Sequence, residues 1–550
     1  MRKFPRWLKI VGFVVAVGLV VMLAVLIGMG WYVKNQMLDS GGEIPPEMAA
    51  YDVRHFDLSV SIDPEAQQID GSNTITVEAV KDLTRFAINL DNRLEVETVI
   101  ADGASCTFRH REGVISAELP SPWAAGERHQ ISIAYAGAPK VALRPPWIDG
   151  FVWSETPTGE PWIGVTGQGD GGDNWWPCKD HPSDEPDEGM DIALTVPSGL
   201  VGLTNGRFLG ENENGDQTVT SRWRVHYPIN NYLVTVNIAP YVAIEEPYFG
   251  IDGTLDQKLV FWSVPEYEPH ARVMWRQMPR ILEVLGRRFG EYPFFEDKFA
   301  VAHAPYYGME HQTLVAYGAL FTDNDYGFDQ LLLHEVAHEW WGNKVTVSDW
   351  ADFWIQEGFG TYAEAVYVLD TLGEERYLDY MRYLRRRVRN SKPLVQGENL
   401  TSNDAYTGDI YFKGAWVLHT LRWYLGDGDF FDIIWRFAND PEYAYGLVSS
   451  DDFAALVATV SGRDIGWFWD RYLYRAEEPR WQVTRSPEGD RERVEIVWDD
   501  PDFELPLPVA VAGEPQRIEM PGGRASFLVE RGTSVEVDPL GQVLASSLER

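Results

Sequence analysis

The apolar period of this chain changes twice, and those changes limit its fold more than any other feature. From Tyr51 onward apolar and polar residues alternate, with Phe56, Leu58, Val60 and Ile62 on one face and Asp57, Ser59 and Ser61 on the other. The alternation stops at the turn Asp63-Pro64, and short segments of the same kind follow at 71–80, 95–101, 114–119 and 130–135, then on to about residue 241. Beyond about residue 265 the spacing becomes helical, over 269–289, 328–342, 353–372, 411–425 and 451–472. From 481 to about 537 short strands with Gly and Pro turns return. A length of 550 residues also exceeds one compact domain. The expected class is therefore multidomain α+β. It comprises an antiparallel β-sandwich-like domain over 51–243, a mainly helical domain over 244–478 and a small C-terminal β-sandwich over 479–550.

Ahead of these domains, residues 10–33 form a run of 24 residues without a charge, between Lys9 and Lys34. A helix rising about 1.5 Å per residue over that run crosses a hydrocarbon core of roughly 30 Å with some tilt. Cleaved secretory signals have apolar regions of only about 7–15 residues and small residues at the cut, and Gly28-Met29-Gly30-Trp31 does not fit. Arg2, Lys3, Arg6 and Lys9 precede the run, so the N-terminus is expected to stay in the cytoplasm. Residues 1–35 thus read as a cytoplasmic tip and an N-terminal transmembrane signal anchor, with the lipid bilayer as partner through 10–33. Residues 36–50 read as a tether. All later residues are expected on the extracytoplasmic side, periplasmic or extracellular, of a single-pass membrane protein.

Composition excludes two classes. Hydrophobic residues are 45% and charged residues 24%, a globular balance that rules out wholesale disorder. The 83 acidic against 47 basic residues give a formal net charge of −36, which repels phosphate backbones and argues against a nucleic-acid partner. The basic run RYLRRRVR at 382–389 reads as a solvated helix face. Cys106 and Cys178 lie in no metal-like spacing and read as two free thiols.

The chemistry is concentrated between residues 303 and 415. His334-Glu335-Val336-Ala337-His338 is an HExxH sequence inside an apolar segment. On a helix, residues four apart share a face, so both imidazoles can address one ion while Glu335 reaches a water without ligating. A catalytic zinc needs three protein ligands and one open position. Glu357, nineteen residues after His338, supplies a third candidate on a following helix that Asp352 could cap. Glu364, seven residues further on the same face, can orient a ligand imidazole.

The run from His334 to Glu364, HEVAHEWWGNKVTVSDWADFWIQEGFGTYAE, resembles the zinc-site signature of the gluzincin aminopeptidases of the aminopeptidase N and leukotriene hydrolase type. The resemblance implies a thermolysin-like catalytic domain over 244–478. It also implies one Zn2+ per chain on His334, His338 and Glu357, with Glu335 as general base. Gly308-Met309-Glu310-His311 resembles the family's GxMEN segment. Glu310 is then expected to bind the substrate α-amine and the Gly308-Met309 backbone to contact the peptide, with His311 standing where Asn is usual. Tyr411-Phe412-Lys413-Gly414-Ala415 resembles the YxKGA segment, which assigns the Tyr411 hydroxyl to the oxyanion. Gln168, followed nine residues later by Pro177, resembles the β-domain segment that enters the active site beside the amine. Residues 228–234 resemble the end of that domain. The likeness spans about 50–475 and leaves no room for the large C-terminal helical domain of many relatives. The implied activity is release of N-terminal amino acids from peptides with a free N-terminus. Two other readings stay open: a zinc hydrolase of other specificity (endopeptidase or epoxide hydrolase), or a non-catalytic membrane-anchored binding protein on this scaffold.

Overall fold

A computed structural model describes Met22 and residues 39–548. Apart from Met22, the expected anchor, residues 10–33, and the cytoplasmic tip lie outside the described residues. Among the described residues no helix is long and apolar enough to cross a membrane.

The strand Tyr51–Asp63 sits inside an eight-stranded sheet and buries Val53, Phe56, Leu58, Val60 and Ile62. Val53 and Phe56 break the period of two because the register with Gln68–Ala79 shifts between Val53 and His55, where a bulge returns the apolar set to the core face. One pairing departs from the antiparallel expectation. Met190–Pro197 runs parallel to Tyr51–Asp63, with Phe56 opposite Met190. Parallel neighbours need a long crossover, and the connection from Asp63 to Met190 provides it. A four-stranded sheet of Gly150–Glu155, Pro161–Thr166, Val236–Ala239 and Val201–Thr204 and a three-stranded sheet complete this part.

Val242–Tyr248 and Gln257–Ser263 belong to the next sheet, which continues through Phe299–His303 and Leu314–Tyr317 to an edge strand, Gly308–Met309. Helices pack beyond it. Two of the expected helices are each broken into two. The 269–289 segment divides into Glu268–Trp275 and Met278–Phe289, because Pro279 lacks the N–H that would continue the first helix. The 451–472 segment divides into Ser450–Ser461 and Gly466–Tyr472 at Gly462, whose φ of 64° makes a left-handed helix end.

The C-terminal strands form a four-stranded and a three-stranded sheet around Val494, Ile496, Trp498, Leu507 and Val509. Their last segment docks on the helix Gly408–Leu425: Thr420 Oγ1 accepts from Leu544 N at 2.9 Å and His419 Nε2 lies 3.0 Å from Gly541 O. The end of the expected tether is docked as well. Ser40 N donates to Gly169 O (3.1 Å), Gly42 N to Leu400 O (3.1 Å) and Trp350 Nε1 to Ser40 Oγ (3.3 Å). The described residues from Ser40 to Leu548 accordingly form one compact unit. Cys106 and Cys178 are both free.

Candidate active site and metal centre

The HExxH helix, Gln330–Ala337, starts at Asp329, whose carboxylate accepts from Leu332 N and from the Tyr317 hydroxyl. It is shorter than the 328–342 expectation, and His338 is its C-cap, one residue past its end. One turn separates His334 from His338. The Nδ1 of His334 lies 2.9 Å from Glu364 Oε1 and that of His338 lies 2.8 Å from Trp341 O. Both acceptors fix the proton on Nδ1, so both Nε2 atoms offer lone pairs to one point.

Glu357 comes from the helix Trp354–Leu372. Asp352 does not cap that helix: Asp349 accepts from Ala351 N in the preceding turn, and the Asp352 carboxylate takes the Ser450 hydroxyl. Glycine brings Glu357 against its neighbours. A Cβ on Gly358 would lie 3.0 Å from Gly414 Cα, and one on Gly360 would lie 3.1 Å from the His338 ring. The helix Trp354–Leu372 and the helix Gly408–Leu425 therefore cross in contact. Tyr411 consequently donates to Glu357 Oε1 at 2.8 Å and stacks on His334 with centroids 5.9 Å apart.

Whether these residues fit a metal is decided by three distances. Nε2 of His334 and Nε2 of His338 are 3.2 Å apart, and Glu357 Oε2 is 3.5 and 3.4 Å from them. Glu357 Oε2 is buried and accepts no hydrogen bond. Three lone-pair donors at that spacing repel one another unless a cation lies between them. A tetrahedron with bonds of about 2.0–2.1 Å has edges of about 3.3 Å, which matches all three separations. The donor set fits one Zn2+ ion. Among the described residues these three form the one such group, and His311 is not part of it.

Glu335 faces the same cavity, of about 460 Å³, across from Gly308. A Cβ on Gly308 would lie 2.6 Å from Glu335 Oε1, so glycine makes the room for the carboxylate. Burial, reinforced by Glu310 and Glu357, pushes the Glu335 carboxyl up to about 8 in the absence of a cation, against the lowering effect of the two histidines.

Glu310 is 3% exposed. Its Oε1 accepts from Gln168 Nε2 at 2.6 Å and from the Tyr232 hydroxyl at 3.2 Å, and its carbonyl accepts from Asn343 Nδ2 at 2.9 Å. Gln168 also reaches Glu357 Oε1 at 3.4 Å. The loop that carries Gln168 is held by Asp149, which accepts from Gly169 N and Asp170 N, and by the buried pair of Lys140 with Asp170. The ten residues expected to be catalytic, metal-ligating, substrate-binding or supporting, Met309 on its edge strand among them, thus meet at one cavity.

Several partners carry no sequence signal. Tyr232 touches Glu310 from 78 residues away; Gln330 Nε2 and the Tyr380 hydroxyl donate to Glu364 Oε2. Glu339, directly after the HExxH run, accepts from Thr313 N and Asn343 Nδ2, which fixes the turn after Glu310. That position could have been suspected, since a carboxylate inside an apolar run asks for a partner. His311 is fully buried, and among the described residues neither ring nitrogen has a hydrogen-bond partner.

Two imidazoles from HExxH and a carboxylate from the next helix define a mononuclear zinc centre of gluzincin type. Comparison with known proteins agrees. Residues 277–472 match the model of the Peptidase family M1 domain. Human aminopeptidase B is 24% identical over 376 residues, covering 63% of this chain and 52% of that protein. Leukotriene A-4 hydrolase of Xenopus laevis is 23% identical over 418 residues, covering 72% and 66%. Mitochondrial aminopeptidase 2 of Saccharomyces cerevisiae is 26% identical over 309 residues, covering 51% and 31%. The chain thus spans about one-third to two-thirds of the length of these curated relatives. A crystal structure of an M1 zinc metallopeptidase from Deinococcus radiodurans superposes with a TM-score of 0.67 at 25% identity, covering 80% of this chain and 96% of that one. Residues 277–472 thus carry the likeness to the Peptidase family M1 domain, and over most of its described length the chain is similar to gluzincin zinc peptidases of that family.

Proposed function

We propose that the protein is a zinc aminopeptidase that releases N-terminal amino acids from peptides. The observation that carries this reading is Glu310. It is a buried carboxylate backed by Gln168 and Tyr232, close enough to the metal ligands that Gln168 touches both Glu310 and Glu357. A group so placed suits an ammonium one residue from the cleaved bond.

His334, His338 and Glu357 would hold the zinc ion, which when bound would supply Lewis-acid polarisation of a carbonyl and a more acidic water. The residues of the chain do the rest. Glu335 Oε takes a proton from the attacking water and returns it to the leaving amine nitrogen. Glu310 and the Gln168 carbonyl oxygen hold the substrate ammonium. Gly308–Met309, an edge strand with one free side, is available to pair with the peptide backbone. The Tyr411 hydroxyl, parked on Glu357 at 2.8 Å, turns to donate to the oxyanion. The test is a set of peptides with free and N-acetylated termini, assayed with and without chelator. Free-amine peptides trimmed one residue at a time, with acetylated ones refused, support the reading. Efficient internal cleavage of acetylated peptides favours the endopeptidase instead.

Membrane attachment through residues 10–33, with the catalytic part on the extracytoplasmic side, is proposed from the sequence. The native protein is expected to sediment with membranes and to keep its first 40 residues. A soluble mature form beginning near residues 31–45 would overturn it.

A further inference from the structure

The basic run at 382–389 does not form one solvated helix face. The helix Glu374–Arg385 stops inside it, and its arginines go to different destinations. Arg382 pairs with Asp379 at 2.8 Å and Arg385 with Glu478 at 2.6 Å. Arg387 follows in the turn after the helix, with its backbone N–H on Leu384 O, and its side chain lines the active-site cavity. It is the one Lys or Arg among the lining residues.

The guanidinium of Arg387 is held but not neutralised. It lies over the Tyr383 ring at 4.4 Å and the Phe412 ring at 5.2 Å, and Nη2 donates to the Tyr383 hydroxyl. Among the described residues no carboxylate pairs with it, in a chain of net charge −36 where its neighbours Arg382 and Arg385 each have one. A guanidinium has five N–H donors in a plane. Two aromatic rings fix its orientation and one donor is used, so edge donors remain for a planar two-oxygen acceptor.

Its position states which part of a substrate it meets. Glu310 and Gln168 stand on the Glu357 side of the metal ligands. Arg387 flanks the His334 side, to which it connects through Tyr383, Tyr380 and Glu364: Glu364 Oε1 takes His334 Nδ1, Glu364 Oε2 takes the Tyr380 hydroxyl, and the Tyr380 and Tyr383 rings lie 5.8 Å apart. A peptide with its ammonium on Glu310 and its scissile carbonyl at the metal sends its leaving part toward that flank.

We propose that Arg387 binds a carboxylate on the leaving part of the substrate, so that the site selects peptides with a negative charge within the first residues after the cut. The carboxylate can be the C-terminus of a short peptide or an acidic side chain, and the inference rests on the aminopeptidase reading for its direction. Two peptide pairs separate the sources: Leu-Ala-Ala as free acid and as C-terminal amide, and Leu-Glu-Ala against Leu-Gln-Ala, both as amides. Affinity is measured by calorimetry on the zinc-loaded Glu335→Gln protein, and kcat and KM on the protein with Glu335 intact, each with Arg387, Arg387→Gln and Arg387→Lys.

With Arg387 present, the charged member of at least one pair is expected to bind about tenfold tighter or more, the difference residing in KM rather than kcat. Arg387→Gln is expected to abolish the preference and Arg387→Lys to restore part of it. Discrimination below twofold in both pairs, or discrimination that survives Arg387→Gln, overturns the proposal. The pair that discriminates identifies the source. N-acetylated copies of the same peptides test the direction of binding separately, and the affinity ratio needs no turnover, so the two readings fail distinguishably.

Discussion

Replacing Glu310 by Gln removes one charge and almost nothing else. Gln168 Nε2 and the Tyr232 hydroxyl both donate to the same oxygen, Oε1. An amide oxygen can accept both, so the side chain is expected to keep its place. What is lost is the partner of an ammonium in a cleft that also holds Glu335 and Glu357. The four carboxylates lining the cavity, Glu364 included, outweigh a dication and Arg387 by one charge, and a substrate ammonium restores the balance. Opposite charges about 4 Å apart attract by about 4 kcal/mol at the effective dielectric of a partly buried site. Desolvation offsets part of that, which leaves about 2–4 kcal/mol, or roughly a 30- to 1,000-fold fall in kcat/KM. The assay is initial-rate kinetics on free-amine peptides, with zinc content measured on the same preparations. Zinc is expected to stay at one per chain. A fall of less than about threefold, or a loss of zinc, would refute the argument that Glu310 acts on the amine.

Glu335→Gln is expected to retain zinc and lose about 10²–10⁴ in kcat, whereas His338→Ala should lose the metal itself; substantial turnover in the former would remove Glu335 as the base. Gly41→Ala places a Cβ 2.4 Å from Trp350 at a φ of 86°, and should destabilise the protein by about 1–3 kcal/mol, read as a lower thermal midpoint. An unchanged midpoint would mean that residues 40–42 are not fastened in solution. Burial holds His311 down at about 3, from its ordinary 6.5. The unfolded chain therefore takes up a proton that the folded chain refuses, so stability is full above pH 6.5 and falls as pH drops toward 3. His311→Asn should flatten this dependence by about 2 kcal/mol at pH 5, and parallel stability curves for the two proteins would show that His311 does not titrate this way.

The direct contacts of the site were legible because its chemistry is local. HExxH and the carboxylates at 357 and 364 obey helical spacing, and Asp349, close to the expected cap, is where the turn begins. Segments farther off, at 168, 308–310 and 411, came from resemblance, since nothing in their own periodicity points to a cleft. The roles of the supports were not legible, even where Asn343 and Tyr232 fell inside resembling segments. Tyr232, Asn343, Tyr380 and the Lys140–Asp170 pair act across 16 to 78 residues, and a lone Tyr or Asn in a sequence looks the same whether it braces a catalytic carboxylate or a loop. Arg387 was misread for a related reason. The run of arginines continues past the point where the helix ends, and periodicity cannot report that end.

The motif glycines show most plainly what a sequence withholds. Gly308, Gly358, Gly360 and Gly414 carry no chemistry, yet each marks a place where an added methyl would displace a functional group. At Gly308 it would meet the Glu335 carboxylate, at Gly360 the His338 ring, and at Gly358 or Gly414 the facing helix. Separating those helices would move Tyr411 away from Glu357 while leaving every named side chain in the sequence. The zinc site is thus specified as much by where side chains are missing as by the residues that line it.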